Sequence, residues 1–253
     1  MVYDLQKAGL WKRFAAWLFD FILVGVLTVG IAFLLSAVLG YDHHSETVSR
    51  TYEKYETQYN VSFQVTQEEY DGWTEAQRQN YDAAYEALIS DEEAMYAYSM
   101  VVNLTMLIAS FSILLSLLIM ELLVPLLLKN GQTLGKKIFG LCLVRTDCVR
   151  MNTMQLFVRT VLGKFAVETM IPVYVGLMIF WGIIGIPGTI LLGALALGQG
   201  LCLLLSRRNA AIHDLLAGTV VADFGSQMIF ESAEALVEYQ KKLHAERAAR
   251  QEY

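Results

Sequence analysis

Three acidic residues, Asp20, Glu121 and Glu168, are each the only charged residue in a long apolar stretch of the sequence. Burying a carboxylate in hydrocarbon costs free energy unless the carboxylate is paired or has a function. Such acids are therefore typical of sites that bind protons or a transported cation. We therefore predict that these three residues form a transport site. The stretches run over residues 14–40, 94–128 and 165–206.

The spacing of these acids predicts that they lie at one depth in a bilayer. Asp20 lies about 9 Å along a helix from Phe14, and Glu121 about 12 Å from Lys129 at the same edge. Glu168 also lies near this edge of the bilayer. Three unpaired carboxylates would be untenable together, so they require protons, cations or basic partners. The candidate basic partners are Arg13, Arg159 and Lys164.

A proline follows two of the acids at the same interval. Pro125 lies four residues after Glu121, and Pro172 lies four residues after Glu168. Proline inside a helix removes the hydrogen bond to the carbonyl four residues back, which would free a backbone oxygen beside each acid. Such oxygens suit a proton relay or a coupling ion. The alternative is that the prolines only kink the helices and the acids pair with arginines structurally.

The composition predicts an all-α membrane protein with a small bundle of about four transmembrane helices. Hydrophobic residues make up 55% of the chain, charged residues 17%, and the mean hydropathy is +0.43.

The first apolar run is too long for a signal-peptide core, which favours an uncleaved span. The third run is long enough for two spans, and the glycines and proline at 182–188 predict a hairpin of 165–184 and 188–206. Three spans, one of them a long broken helix, remain the alternative.

Charge predicts the orientation. Residues 41–98 hold thirteen acids against three basic residues, a net charge of minus 10, and the rest of the chain is therefore plus 4. Because basic segments stay in the cytoplasm, we expect 41–98 outside and both termini inside the cytoplasmic membrane; three spans would put the C-terminus outside. Capping boxes at Thr66, Thr74 and Ser90 predict that the outer segment is helical.

We predict six segments along the chain. Between the second and third apolar runs we expect a basic loop and a helix lying on the inner leaflet, and after the last run a solvated helical tail. The segments are 1–40 with the first transmembrane helix, 41–98 as the acidic extracytoplasmic helical segment, 99–128 as the second transmembrane helix, 129–164 as the cytoplasmic basic loop and interfacial helix, 165–206 as the transmembrane hairpin, and 207–253 as the cytoplasmic return segment and helical tail.

The sequence predicts no metal centre and no cofactor. The three cysteines lack Cys-x-x-Cys spacing, and Asp42-His43-His44 with Glu46 is more typical of a solvated turn than of a metal site. The segment Gly131–Lys137 lacks the glycine spacing and the final Ser or Thr of a phosphate-binding loop. The acidic balance excludes nucleic acid as a partner.

Three motifs together resemble the RDD family of bacterial membrane proteins, named for one arginine and two aspartates. Arg13 and Asp20 match the first two positions, Asp214 in His213–Thr219 the third, and Gly131–Lys136 with Gly140-Leu141 is similar to the family's inner loop. The resemblance implies a small helical domain in the bacterial cytoplasmic membrane, with transport of ions or solutes as the usual suggestion. The long acidic segment 41–98 departs from the shortest members.

These observations lead to two functional hypotheses. In the first, the protein is a secondary transporter of cations or small solutes, in which Asp20 and Glu121 form the protonatable site while Arg13, Asp214 and Arg159 form a structural clasp. Four spans make a small bundle, so transport could require a homodimer. In the second, it is a non-transporting scaffold that binds proteins through 41–98 and its tail. We expect no enzymatic activity, since no nucleophile stands beside a base.

Overall fold

Four helices of the computed structural model are long and apolar enough to cross a membrane, judged by length and composition. We call them the first to fourth apolar helices. This confirms the prediction of an all-α membrane protein and favours four spans over three. In order, they are Leu10–Leu39, Glu92–Leu128, Thr153–Phe180 and Gly185–Leu205.

The structure describes residues 5–128, 131–180, 182–206 and 209–251. The chain folds as two units, one formed by the residues up to Thr28 and from Ile113 onward, the other by Val29–Ser112. In chain order, the elements are α1 (Leu10–Leu39), α2 (Tyr41–Tyr59), α3 (Gln67–Asp71), α4 (Glu75–Ser90), α5 (Glu92–Leu117), a π-helical segment (Leu118–Leu123), α6 (Val124–Leu128), α7 (Leu134–Ile138), β1 (Leu141–Arg145), α8 (Thr153–Phe157), a second π-helical segment (Val158–Met170), α9 (Ile171–Phe180), α10 (Gly185–Leu205), α11 (Ile212–Ala217), β2 (Thr219–Asp223) and α12 (Ala233–Gln251).

The second and third apolar helices each contain a π-helical segment, and both segments carry charged residues. Leu118–Leu123 contains Glu121, and Val158–Met170 contains Arg159, Lys164 and Glu168. In a π-helix each backbone N–H donates a hydrogen bond to the carbonyl five residues earlier, as the Val124 N–H does to the Ile119 carbonyl. Such segments occur frequently at functional sites, because the wider turn changes the direction of the side chains.

The helix predicted on the inner leaflet is not a separate element. The third apolar helix begins at Thr153 and continues without a break to Phe180, so the boundary predicted at residue 165 lies inside a helix. The side chain of Arg159 in this helix is buried within the protein. The second apolar helix likewise begins at Glu92, seven residues before the predicted start at 99.

A two-stranded antiparallel sheet, which the sequence analysis did not predict, holds the polar end of the first unit together. β1 pairs with β2, with Leu141 opposite Asp223 and Arg145 opposite Thr219. Most of the sheet is fully buried. Beside it, Leu236 of α12 packs with Cys148, Val149 and Phe230, so the first turns of the tail are packed rather than solvated.

The second unit contains the predicted outer helices. Thr66 and Thr74 are N-caps with complete capping boxes, which confirms two of the three predicted helix starts. The third is wrong: Ser90 ends α4, and the Asp91 carboxylate accepts from the backbone N–H groups of Glu93 and Ala94. Tyr55 packs with Leu88 and Ala94 in the core of this unit.

Candidate functional site

The first unit buries a group of ionisable side chains that we call the polar cluster. It contains four acids and four basic residues, so its formal charges balance, together with one histidine. Its members are Asp20, Glu121, Glu168 and Asp214, then Arg13, Lys136, Arg159 and Lys164, and His213. Five elements supply these residues, because α7 and α11 join the first, second and third apolar helices.

Asp20 in α1 binds the start of α7. The hydroxyl of Thr133 donates to Asp20 Oδ2 at 2.5 Å, and the backbone N–H of Gly135 donates to Oδ1 at 2.8 Å. A Cβ at residue 135 would lie 2.9 Å from Cγ of Asp20, so only glycine permits this approach. Thr133 is also the N-cap of α7, accepting from the Lys136 N–H. The helix start and the aspartate therefore position each other.

Glu121 is 3% exposed and lies among three cations. Lys164 hydrogen-bonds to Oε1, Arg159 Nη1 lies 3.2 Å from Oε2, and Lys136 Nζ lies 3.8 Å from Oε2. The hydroxyl of Thr160 donates to the Glu121 backbone carbonyl at 3.1 Å. The carbonyl that the proline spacing predicted to be freed thus has a side-chain donor. Buried charges require this degree of pairing, since desolvation otherwise exceeds the Coulombic gain.

Arg159 connects the second apolar helix to α11. Its Nε donates to Asp214 Oδ1 at 3.0 Å, and its Nη2 lies 2.9 Å from His213 Nε2. A guanidinium only donates, so His213 Nε2 must accept and the imidazole proton lies on Nδ1. Nδ1 lies 2.7 Å from Glu168 Oε2 and donates to it. The arrangement therefore selects the neutral Nδ1–H tautomer of His213.

Two arginines, Arg159 and Arg13, form ion pairs with Asp214. Arg13 Nη2 lies 3.8 Å from Asp214 Oδ2, and the Thr219 hydroxyl donates to Oδ1 at 3.2 Å. Burial acts to raise the pKa of Asp214, but the guanidinium groups of Arg159 and Arg13 hold it well below its usual range. Burial lowers the pKa of His213, with Asp214 opposing and Arg159 reinforcing that shift. At neutral pH Asp214 is therefore charged and His213 neutral.

Glu168 binds the start of α11 and the fourth apolar helix. It accepts from the backbone N–H of His213 at 3.0 Å and from Gln199 Nε2 at 3.0 Å, besides the imidazole bond. Gly163 lets α11 approach, because a Cβ there would lie 2.5 Å from Cβ of His213. All four apolar helices therefore contribute to one polar network.

The network is continuous across the unit. Each consecutive pair in it is joined by a hydrogen bond, except for the ion pair between Lys136 and Glu121. The order is Asp20, Thr133, Lys136, Glu121, Arg159, His213, Glu168 and Gln199.

The structure places the predicted site residues in this network but pairs them differently from the hypothesis. Asp20 and Glu121 are not in direct contact; Lys136 lies between them. Glu168 reaches Glu121 only through His213 and Arg159. Arg13 is close to Asp214, but the tighter bond to that carboxylate comes from Arg159.

Several residues of the site were not predicted from the sequence, among them Thr133, Gly135, Lys136, Gln199 and His213. The first three lie in the Gly131–Lys136 segment, whose resemblance to the family's inner loop was the available signal. Gln199, the one amide in a long apolar helix, carried a second signal of the same kind as the acids.

The described parts of the chain contain no group of three or more His, Cys, Asp or Glu residues that could hold a metal ion. Asp42, His43 and His44 lie in the first turn of α2.

Comparison with curated proteins and with solved structures gave no match. A family model described as the RDD family matches residues 7–218, which is most of the chain. This range includes Arg13, Asp20 and Asp214, and it includes the acidic segment 41–98. The chain therefore belongs to the RDD family of membrane proteins.

Proposed function

We propose that this protein is a secondary transporter that couples movement of a cation or small solute to movement of protons through the polar cluster. The observation that carries the proposal is the continuous polar network, which includes residues of all four apolar helices. Ionisable residues among membrane-spanning helices are rare because they are costly, and they mark ion pathways and proton relays. A network that joins every helix can convert a change of charge into a change of helix packing.

The balance of charges supports coupling rather than an open channel. The four acids and four basic residues neutralise one another, so binding or loss of a single proton leaves the buried cluster with one net charge. An unbalanced buried charge is unfavourable by several kcal/mol, on the order of 3–5 when a partner is removed. Each proton movement therefore favours a compensating movement of charge or of helices.

The proposal includes an orientation and an assembly. The acidic insertion 41–98 lies outside the bacterial cytoplasmic membrane and both termini lie in the cytoplasm, as the charge difference between the segments favours. Two copies form the transporting unit, because four spans make a small bundle. No enzymatic step is part of the proposal, since both imidazole nitrogens of His213 are engaged by Glu168 and Arg159.

The alternative is a non-transporting membrane scaffold, and one observation favours it. Every acid of the polar cluster already has partners, which is also what a purely structural polar core would show. Protein partners would then bind the acidic insertion and α12. This alternative predicts that the cluster is needed for folding alone.

A transport assay with purified protein in liposomes distinguishes the transporter from the scaffold. The liposomes contain a pH-sensitive dye, and gradients of Na⁺, K⁺ or Li⁺ and then of small neutral solutes are imposed in turn. We expect dye responses above those of protein-free liposomes with at least one solute. Equal responses with and without protein for every gradient would reject transport and leave the scaffold.

A further inference from the structure

The members of the polar cluster differ in how well their charged forms are stabilised. Two of the acids accept several hydrogen bonds: Asp20 accepts from Thr133 and Gly135, and Glu168 accepts from Gln199 and from both the backbone and imidazole of His213. Glu121 and Asp214 lie against cations as described above. Each of the four acids therefore already has a directly bonded partner.

Three further basic groups and His213 have a fixed charge or a directly bonded partner. The guanidinium groups of Arg13 and Arg159 stay protonated in proteins. Lys164 hydrogen-bonds directly to Glu121. His213 Nε2 faces Arg159, whose positive charge opposes protonation of the ring.

Lys136 is the exception. Its ammonium has three donors, and among the described residues it makes one hydrogen bond, to the Thr133 hydroxyl at 3.1 Å. The carboxylates of Asp20 and Glu121 lie farther away, at 3.9 and 3.8 Å. The side chain is 9% exposed, so water replaces few of the missing bonds. Of the two lysines in the cluster, Lys136 is therefore the more weakly paired, because Lys164 hydrogen-bonds directly to Glu121.

The charges around Lys136 come from the first, second and third apolar helices. Asp20 of the first apolar helix and Glu121 of the second favour the ammonium, whereas Arg159 and Lys164 of the third oppose it. Burial is the largest influence, and together these effects lower the pKa of Lys136 to about 8. A small change in surroundings would thus change its charge near physiological pH.

We propose that Lys136 is the group of the polar cluster that binds and releases the coupled proton. This inference rests on the proposed transport function. In the releasing step the N–H bond breaks, the electron pair stays on the nitrogen, and the proton goes to water. The cluster then carries one net negative charge, which attracts a cationic substrate and returns to zero when the amine is protonated again.

Thr133 transmits this change to the first apolar helix. Its hydroxyl donates to Asp20 and its oxygen accepts from Lys136. When Lys136 becomes neutral, the charge that supports the short bond from Thr133 to Asp20 is lost. The contact between α1 and α7 therefore depends on the charge of Lys136.

The pH profile of transport tests the role directly. Initial rates in liposomes are measured from pH 7 to 9 for the wild type, Lys136→Arg, Lys136→Gln and Lys137→Arg as a matched control on the exposed face of the same short helix. The wild type and the control should follow a one-proton titration, a change of about tenfold over this range. Both Lys136 variants should lose that dependence, because neither residue titrates there. A wild-type profile in either folded Lys136 variant would overturn the inference while leaving transport intact.

Stability in detergent tests the titration without any transport. The pKa of Lys136 is lower in the folded state than the ordinary lysine value, so the unfolded state binds more protons between the two pKa values. Wild-type stability relative to Lys136→Arg should therefore rise as the pH increases from about 8 towards 10. Parallel stability curves would exclude Lys136 titration even if transport is present. A rising difference without transport would retain the titration and reject the proposed function.

Discussion

At the scale of single residues, the polar cluster depends on Arg159. Its guanidinium bonds to Glu121 from one side and to Asp214 from the other, and it is 2% exposed. A planar guanidinium with five donors suits this position, whereas lysine could not bond to both acids and to His213. Arg159 thus fixes the relative positions of the second and third apolar helices and α11.

Arg159→Gln should therefore be strongly destabilising. The substitution leaves two buried acids with too little compensation, and breaking a buried ion pair typically costs about 3–5 kcal/mol. Arg145→Gln is a matched control, because Arg145 pairs with Asp147 where both side chains are 38% exposed. Such exposed pairs contribute about 1 kcal/mol or less. The comparison is made by denaturation in detergent, and equal losses in the two variants would contradict the assigned importance of Arg159.

His213 should make the protein less stable in mild acid. Burial and Arg159 lower the pKa of His213 in the folded state, so the unfolded state binds more protons as the pH falls below about 6.5. Stability should be lost over that range in the wild type and less so in His213→Gln, whose amide can still bond to Glu168 and Arg159. His244→Gln, on the exposed face of α12, is the control. Melting temperatures measured from pH 7 to 5 test this prediction. An identical decline in all three proteins would argue against a neutral buried His213.

At the scale of elements, close backbone approach brings the acids to their partners. α7 approaches α1 at Gly135, and α11 approaches the third apolar helix at Gly163. In both places a Cβ would overlap atoms of the facing element. The two short helices can then present backbone N–H groups to Asp20 and Glu168, which a bulkier contact would prevent.

Gly135→Ala should reduce transport and stability together. The added methyl group would lie 2.9 Å from Oδ1 of Asp20 and force α7 away from α1, weakening the bonds from Gly135 and Thr133. Gly193→Ala in the fourth apolar helix is the control, since a Cβ there meets nothing within 4 Å. Liposome transport and melting temperature are measured for both. Unchanged behaviour of Gly135→Ala would show that this approach is not needed.

Long helices could be predicted from the sequence, whereas the short polar elements could not. The apolar runs predicted four long helices, because length and composition are sufficient to identify such helices in a sequence. The sheet was missed because Leu141–Arg145 and Thr219–Asp223 are distant in sequence and pair only after the helices between them fold. The predicted cap at Ser90 failed because Asp91, one residue later, competes for the same helix start.

The partners of the acids were only partly predictable. Arg13, Arg159 and Lys164 could be suggested because they flank apolar runs. Lys136 could not, since its contact with Glu121 and Asp20 depends on how α7 folds back onto the helices. Spacing along a helix predicts depth, but the side of each helix that faces the others is a tertiary property.

At the scale of the whole molecule, the charges divide into two kinds. The polar cluster is balanced and buried within the first unit, whereas the acidic segment 41–98 carries a net charge of minus 10 and belongs to the second unit. Buried balanced charge suits a coupling function, since adding or removing one proton has a large effect there. Exposed acidic charge suits attraction of cations or of basic protein partners.

Proton movement in liposomes, compared between Asp20→Asn and Asp42→Asn, tests the central claim most directly. Asp20 is 4% exposed at the first position of the network, whereas Asp42 is an exposed acid in α2. Both variants are first shown to be folded by gel filtration in detergent. We expect the wild-type response in Asp42→Asn and a loss of at least about tenfold in Asp20→Asn, equivalent to roughly 1.4 kcal/mol. Equal proton fluxes in the two folded variants would contradict a coupling role for the polar cluster.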